Sequence, residues 1–289
     1  ALGRAFARRG EVEVPLRHHH ARGDDTLLLM PAWDREHVGL KVLNVVPANG
    51  ERRQPTVQGS YLLTSAVDGS PLAVLDGAEL TARRTAAASV LAATRLARRD
   101  ASRLVVVGAG RIARELADAY CAMFPVEQVV VWNHHPARAK ELADRLRGAG
   151  LPAQATDDLG RACRAADVIT CATPATDPLV AGDWLPAGVH LDLVGGFTPE
   201  MRETDDEAVR RCRVFVDTRE GALAEAGDIV QPLRTGIISE SDVLGDLFDL
   251  SSGTVPGRLA DDDRTLFKSV GHALEDLVAA TLVHGTAVR

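Results

Sequence analysis

Residues 104–113 read LVVVGAGRIA, an apolar β-branched run followed by Gly108, Gly110 and Ala113 at GxGxxA spacing. The run predicts a buried parallel strand ending at Val107 and a tight glycine turn. A helix then starts near Arg111, with its first amides available to a pyrophosphate. Gly108 permits the turn, Gly110 lets backbone approach a ligand, and Ala113 keeps helix and strand close. A glycine turn by itself also joins strands to helices for purely structural reasons. Here the flanks meet the further requirement: a strand before, a helical pattern at 114–123, and a second strand at 128–132. The stretch reads as dinucleotide-binding.

The residues that end the second strand bear on which dinucleotide. An NAD site usually places an acidic side chain there, to accept from the adenosine ribose. This chain has Asn133, His134 and His135, with Arg138 one turn on. No carboxylate is present, and hydrogen-bonding and cationic groups gather where a 2′-phosphate lies, so NADP (NADPH) is favoured and NAD is the alternative. In that alternative Asn133 bonds the ribose and the rest is solvated surface.

The alternation continues beyond Trp132. A helix is expected at 136–147, with Pro at its start and glycines past its end. A short helix follows at 158–166, then strands at 168–173 and 189–194, and a last strand at 213–217. The fold class is therefore α/β: a Rossmann, doubly wound parallel sheet over 98–269 with right-handed crossovers. Residues 1–97 with 270–289 form a smaller α+β domain for substrate binding and dimerisation. It has strands at 26–30, 39–45 and 59–64 and turns at 47–50 and 68–71. An Ala-rich helix at 81–98 carries Thr81 as N-cap, and a closing helix spans about 271–283.

Composition narrows the partners. The chain has 289 residues, 46% hydrophobic and 25% charged, with net charge −7. That profile suits a globular protein and argues against nucleic acid or an anionic membrane surface. No run approaches the ~20 apolar residues of a membrane span, and the N-terminus has no apolar signal core, so a cytoplasmic location is expected. Cys121, Cys163, Cys171 and Cys212 show no CxxC pairing, which favours reduced, inert thiols. His18, His19 and His20 stand in a row, and neighbours on a strand face opposite ways, so no metal site is expected.

A hydride site also needs an anchor for its substrate. Arg17, Lys41 and Arg84 lie beside apolar stretches, and a carboxylate prefers bidentate guanidinium contacts. For any one arginine a surface ion pair is the blander reading. Lys41 is one of only three lysines, and it sits in the apolar segment VGLKVLNVV.

The segments PLRHHH (15–20), LLLMPAW (27–33), LKVLNVVPANG (40–50), PTVQGSYLL (55–63), LDGAELTARRTAA (75–87), VVGAGRIA and LFKSVGHALEDL (266–277) together resemble the ornithine cyclodeaminase/μ-crystallin family. The resemblance implies a homodimer joined through the first domain, and a Rossmann domain holding NAD(P). It assigns Arg17, Lys41 and Arg84 to the substrate carboxylate and Val270 to the substrate side. Thr56, Arg111, Ile112, Asn133, Thr173 and Ser269 match cofactor contacts. With the glycine turn and the strand ends, the cofactor-side set is Thr56, Arg84, Gly108, Gly110, Arg111, Ile112, Asn133, His134, Arg138, Thr173, Val194 and Ser269.

One departure carries the substrate reading. The family's cyclodeaminases and alanine dehydrogenases have an acid in a segment of the form GADxPGKxE. Here VGGFTPEMRE (194–203) puts Phe197 at the acid and Met201 at the lysine. A phenylalanine cannot bind an ornithine amine, but it can pack on the apolar edge of a small ring. This variant resembles the family's bacterial Δ1-pyrroline-2-carboxylate reductases, which implies reduction of a cyclic ketimine acid (Δ1-pyrroline-2-carboxylate or Δ1-piperideine-2-carboxylate) at C2 to L-proline or L-pipecolate. Lys41 and Arg84 are then the catalytic candidates, with Arg17, Phe197 and Val270 completing the substrate side. Crowding by two guanidiniums is expected to lower the Lys41 pKa, leaving it to relay a proton or to anchor the carboxylate. Asp192 and Glu203 are further proton sources or structural acids. The rival readings are an amino-acid dehydrogenase or open-chain imine reductase, an ornithine cyclodeaminase, and a non-catalytic NADPH-binding protein of the crystallin kind.

Overall fold

The computed structural model describes residues 1–50, 52 and 54–288. It divides into two compact units, Ala1–Arg84 with His272–Arg289, and Thr85–Gly271. The boundary falls inside a helix rather than after residue 97. Ala86, Val90 and Ala93 of that helix bury themselves with Leu104, Val106 and Leu116 of the second unit.

The first unit opens with α1 (Leu2–Phe6), then β1 (His18–Arg22), β2 (Asp25–Trp33), β3 (His37–Val45), β4 (Val57–Ser65) and β5 (Pro71–Asp76), which form an antiparallel sheet in chain order. β5 runs straight into α2 (Gly77–Leu96). Thr81 is not its cap. The Asp76 carboxylate accepts from the amides of Ala78 and Glu79, and the Thr81 hydroxyl donates back to the Gly77 carbonyl. The last helix of the chain, α10 (Ala273–Ala287), covers one face of the sheet. Strand alternation decides what it meets: Met30, Lys41, Tyr61 and Leu75 pair in register across four strands and so share that face. Around them Ala32, Leu63, Leu277 and Ala280 are buried. A lysine is thereby set into an apolar layer.

The second unit contains β6 (Arg103–Val107), α3 (Arg111–Met123), β7 (Gln128–Trp132), α4 (Pro136–Gly148), β8 (Ala153–Ala155), α5 (Leu159–Arg164), β9 (Val168–Cys171) and β10 (His190–Leu193). Then come α6 (Asp206–Arg211), β11 (Arg213–Val216), α7 (Arg219–Glu225), α8 (Gly227–Thr235), β12 (Val243–Asp246), α9 (Leu247–Ser252) and β13 (Thr265–Lys268). Its eight strands lie in the order β12-β11-β13-β10-β9-β6-β7-β8, and every pairing is parallel. The expected last strand, β11, is not the last. β12 and β13 follow it, and β13 inserts between β10 and β11. Both are four residues long, too short to show a periodicity, and β12 (VLGD) carries residues that strands disfavour.

The order reverses at β6, which has β7 on one side and β9 on the other. In a doubly wound sheet such a switch point opens a crevice at the carboxyl ends of the strands.

Candidate active site

Most of the chain's cofactor-side candidates lie at that carboxyl edge, while Thr56 and Arg84 belong to the first unit. Gly108, Gly110, Arg111 and Ile112 follow β6, Asn133 and His134 follow β7, Thr173 follows β9, Val194 follows β10, and Ser269 and Val270 follow β13. Arg138 is an exposed residue of the first turn of α4. Thr56 belongs to the first unit, as an exposed residue just before β4.

The two turn glycines answer different needs. Gly108 has φ +116°, and a Cβ there would lie 2.6 Å from the Ala172 carbonyl oxygen, so the protein itself requires glycine. Gly110 is the N-cap of α3 with φ −85°, which any residue can adopt, and a Cβ on it would meet nothing within 4 Å. No protein contact demands glycine at 110. Its bare backbone leaves open the approach to a helix start that has no side-chain cap. The first amides of a helix have no partner within it, and a start left open in this way fits a phosphate-bearing group. At the end of β7 no carboxylate faces this turn from Asn133, whose own Oδ1 accepts from the His135 amide at 2.9 Å.

In the first unit a second constellation is buried. Lys41 Nζ donates to Asp276 Oδ2 at 2.6 Å. Arg84 donates from Nε to Asp276 Oδ1 at 3.0 Å and from Nη1 to Glu275 Oε2 at 2.6 Å. Lys41 and Asp276 are wholly buried and Arg84 is 6% exposed. Two of the three cations expected to hold a substrate carboxylate, Lys41 and Arg84, thus meet two carboxylates of the chain itself. Uncompensated charge at this depth costs several kcal/mol, which is why the acids are there. Neither acid was singled out from the sequence, although both stand in LFKSVGHALEDL as the third and fourth residues of α10.

These contacts set the ionisation. Burial first, then the Arg84 charge, lower the Lys41 amine to about 8, while Asp276 and Glu275 limit the fall. One guanidinium does the crowding where two were expected. Burial alone would raise the Asp276 carboxyl, but Arg84 and Lys41 hold it below the ordinary value. Arg17 acts instead on His272, which burial and that guanidinium keep neutral, with a pKa of about 4. The Tyr61 hydroxyl, opposite Lys41 in the register, is held protonated by burial and by the Asp276 charge.

Several other candidates have structural placements. Asp192 on β10 accepts from Ser89, Tyr120 and Thr170, and burial raises its carboxyl to about 6. Phe197 stands 39% exposed in the turn after β10. The Val270 amide is held by the buried Asp217 carboxylate at 2.8 Å. His18 and His20 stack on an exposed edge strand, with ring centroids 6.4 Å apart. Among the described residues no group of three His, Cys, Asp or Glu is placed to hold a metal. The four cysteines are free, and burial raises every thiol, so thiolate chemistry is disfavoured. No described helix is long and apolar enough to cross a membrane.

A doubly wound sheet with a glycine turn, joined to an antiparallel-sheet unit that buries a lysine–arginine–carboxylate cluster, defines a two-unit α/β protein of dinucleotide-binding type. The family model of the ornithine cyclodeaminase/mu-crystallin family matches residues 2–289, and the chain belongs to that family. An uncharacterised protein of Schizosaccharomyces pombe is 41% identical over 94% of this chain and 88% of its own length. The Δ1-pyrroline-2-carboxylate reductase of Paracoccus denitrificans is 39% identical over 89% of this chain and 82% of its own. Among solved structures, the Thermococcus litoralis Δ1-pyrroline-2-carboxylate reductase in complex with NADH and L-proline superposes with a TM-score of 0.95. It is 34% identical over 99% of this chain and 91% of that one.

Proposed function

We propose that this protein is an NAD(P)H-dependent reductase of a cyclic ketimine acid, Δ1-pyrroline-2-carboxylate or Δ1-piperideine-2-carboxylate, giving L-proline or L-pipecolate. The observation that carries the reading is Lys41, a fully buried amine with a pKa of about 8, which donates to the Asp276 carboxylate that Arg84 also meets. Such an amine is roughly nine-tenths protonated at pH 7, yet acidic enough to release its proton, the condition for an efficient general acid. The likeness to named reductases of the same substrate class supports it.

When bound, the reduced nicotinamide supplies the hydride that C2 accepts. The chain's own residues do the rest. Arg84 and Arg17 hold the substrate carboxylate, and Lys41 protonates the imine nitrogen, so the C=N bond becomes CH–NH with one proton and one hydride added. Asp276 keeps the amine charged until the proton is needed. Phe197 and Val270, being uncharged, suit apolar ring methylenes, where an acid would be left unpaired. The segment after β7, with Asn133, His134 and Arg138 and no carboxylate, favours NADPH over NADH.

The test is a substrate panel with each reduced dinucleotide: the two cyclic ketimines, and pyruvate with ammonia. Turnover is expected with a cyclic ketimine, and faster with NADPH. Turnover confined to pyruvate and ammonia would move the assignment to an amino-acid dehydrogenase. Tight NADPH binding with no turnover on any imine would make the protein a non-catalytic binder.

The partner is a second copy of this chain. Pro31, Leu40, Leu62 and Val74 pair in register on the sheet face opposite α10, with Leu62 38% and Val74 73% exposed. An apolar row of this kind fits a copy of itself across a two-fold axis. Light scattering is expected to give a dimer, and replacing Leu40 and Leu62 with lysine a monomer. A monomeric wild type would remove this proposal.

A further inference from the structure

Several loops leave the carboxyl edge of the second unit's sheet backbone against backbone, and one buried acid ties two of them together. Glu203 is wholly buried. Its Oε1 accepts from the Thr173 amide at 2.7 Å and the Thr173 hydroxyl at 2.8 Å, and its Oε2 accepts from the Gly195 amide at 2.7 Å. One carboxylate therefore joins the turn after β9 to the turn after β10.

The acid is itself held in place. Asp228 Oδ1 accepts from the amides of Glu203 and Thr204 at 2.8 and 3.1 Å, and Asp228 Oδ2 lies 3.0 Å from Lys268 Nζ at the end of β13. Space is tight throughout. A Cβ on Gly195 would lie 2.0 Å from the Thr173 carbonyl oxygen, and one on Gly227 would lie 2.1 Å from that of Met201. The turns are thus tied by close backbone contacts and by the three bonds that Glu203 accepts.

We propose that Glu203 is a positioning residue for dinucleotide binding, holding Thr173 and the Gly195–Phe197 turn in the arrangement the cofactor meets. This rests on the reading that Thr173 and Val194 flank the dinucleotide. It adds a dependence on pH. A carboxylate accepts three bonds here, whereas a carboxylic acid must point its own O–H at one of the donors and lose that bond.

The charged and titratable groups against Glu203 are Asp228 of α8, Lys268 of β13 and the Cys171 thiol of β9. Burial raises the Glu203 carboxyl, Lys268 opposes this, Asp228 adds to it, and the Thr173 bonds lower it again, leaving about 7. Affinity for the dinucleotide should then fall as pH drops through 7. Folding moves the other way. A carboxyl raised from 4.5 to about 7 is protonated in the folded chain before the unfolded one, so its contribution to stability grows as pH falls across that window. A purely structural acid would not give opposite signs.

The experiment is a fluorescence titration with NADH on wild type and Glu203→Gln, from about pH 5.5 to 8.5. NADH is chosen because a 2′-phosphate titrates near ~6 itself. The wild-type Kd is expected to rise about tenfold between pH ~8 and ~6, the loss from one unsatisfied buried donor. Glu203→Gln should bind weakly at every pH, with a flat profile, because an amide accepts at one end only. Its Thr173 and Gly195 amides should exchange hydrogen faster while the cores of β9 and β10 do not. A variant with the wild-type Kd, pH profile or exchange rates overturns the proposal, and so does a flat wild-type profile, which decides the matter where the variant does not fold. A wild type that binds neither dinucleotide overturns the parent reading and this one together.

Discussion

Lys41→Met is expected to lower kcat/KM for the cyclic ketimine by about 10²- to 10⁴-fold, the range of a lost general acid, with little change in dinucleotide affinity. Methionine keeps most of the side-chain volume under α10, so the sheet face stays filled while the proton is removed. Wild-type reduction should decline above pH about 8, where the amine becomes neutral. The variant should lack that limb. A stability readout accompanies it. The amine falls from 10.5 to about 8 on folding, so between those values the unfolded chain binds a proton that the folded chain does not. Wild-type stability therefore gains from this group as pH rises from 8 towards 10.5, and Lys41→Met should lose the gain. An unchanged kcat/KM, or a basic limb that survives in the variant, dismisses Lys41 as the acid.

What the chain announced, and what it hid, follows from the range of the interactions. The glycine turn was legible because Gly108, Gly110 and α3 are set by neighbours within a few residues, with φ +116° at Gly108 as the direct cause. The strands that lead to most of the proposed cofactor-side positions were legible, since β6, β7 and β9 are largely apolar runs and β10 extends one. β13 was hidden because it is short and inserts between strands distant in sequence. The charge balance of the cluster was hidden for the same reason: Lys41 and Asp276 are 235 residues apart. A lone buried lysine demands a counter-ion, and nothing local names it. Two adjacent acids at the start of an apolar closing helix were the available signal. Of the acids that hold the loops, Asp217 and Asp228 read as ordinary polar residues until their amide donors come into view, and Glu203 reads only as a further proton source or a structural acid.

Asp276→Asn is expected to be the most destabilising single change in the cluster, at about 3–5 kcal/mol by urea unfolding. Asparagine keeps the shape and one acceptor but removes the charge that both Lys41 Nζ and Arg84 Nε meet. Glu275 still pairs with Arg84, so the cost falls chiefly on Lys41. Its amine, already lowered, should drop further without the carboxylate that opposes the fall, and the basic limb of the activity profile should move below pH 8. The difference between the two proteins should itself depend on pH. A carboxyl held below its ordinary 3.8 contributes stability above that value and loses it as pH falls through the lower folded value, so the two unfolding curves should converge in acid. Lys41→Met in the same chain supplies the control. With the cation already gone, deleting the anion leaves less charge uncompensated, so the double variant should be more stable than the sum of the single losses by about 1–3 kcal/mol. Strict additivity would mean that Asp276 does not serve Lys41, and the amine would then need another explanation for its charge at neutral pH.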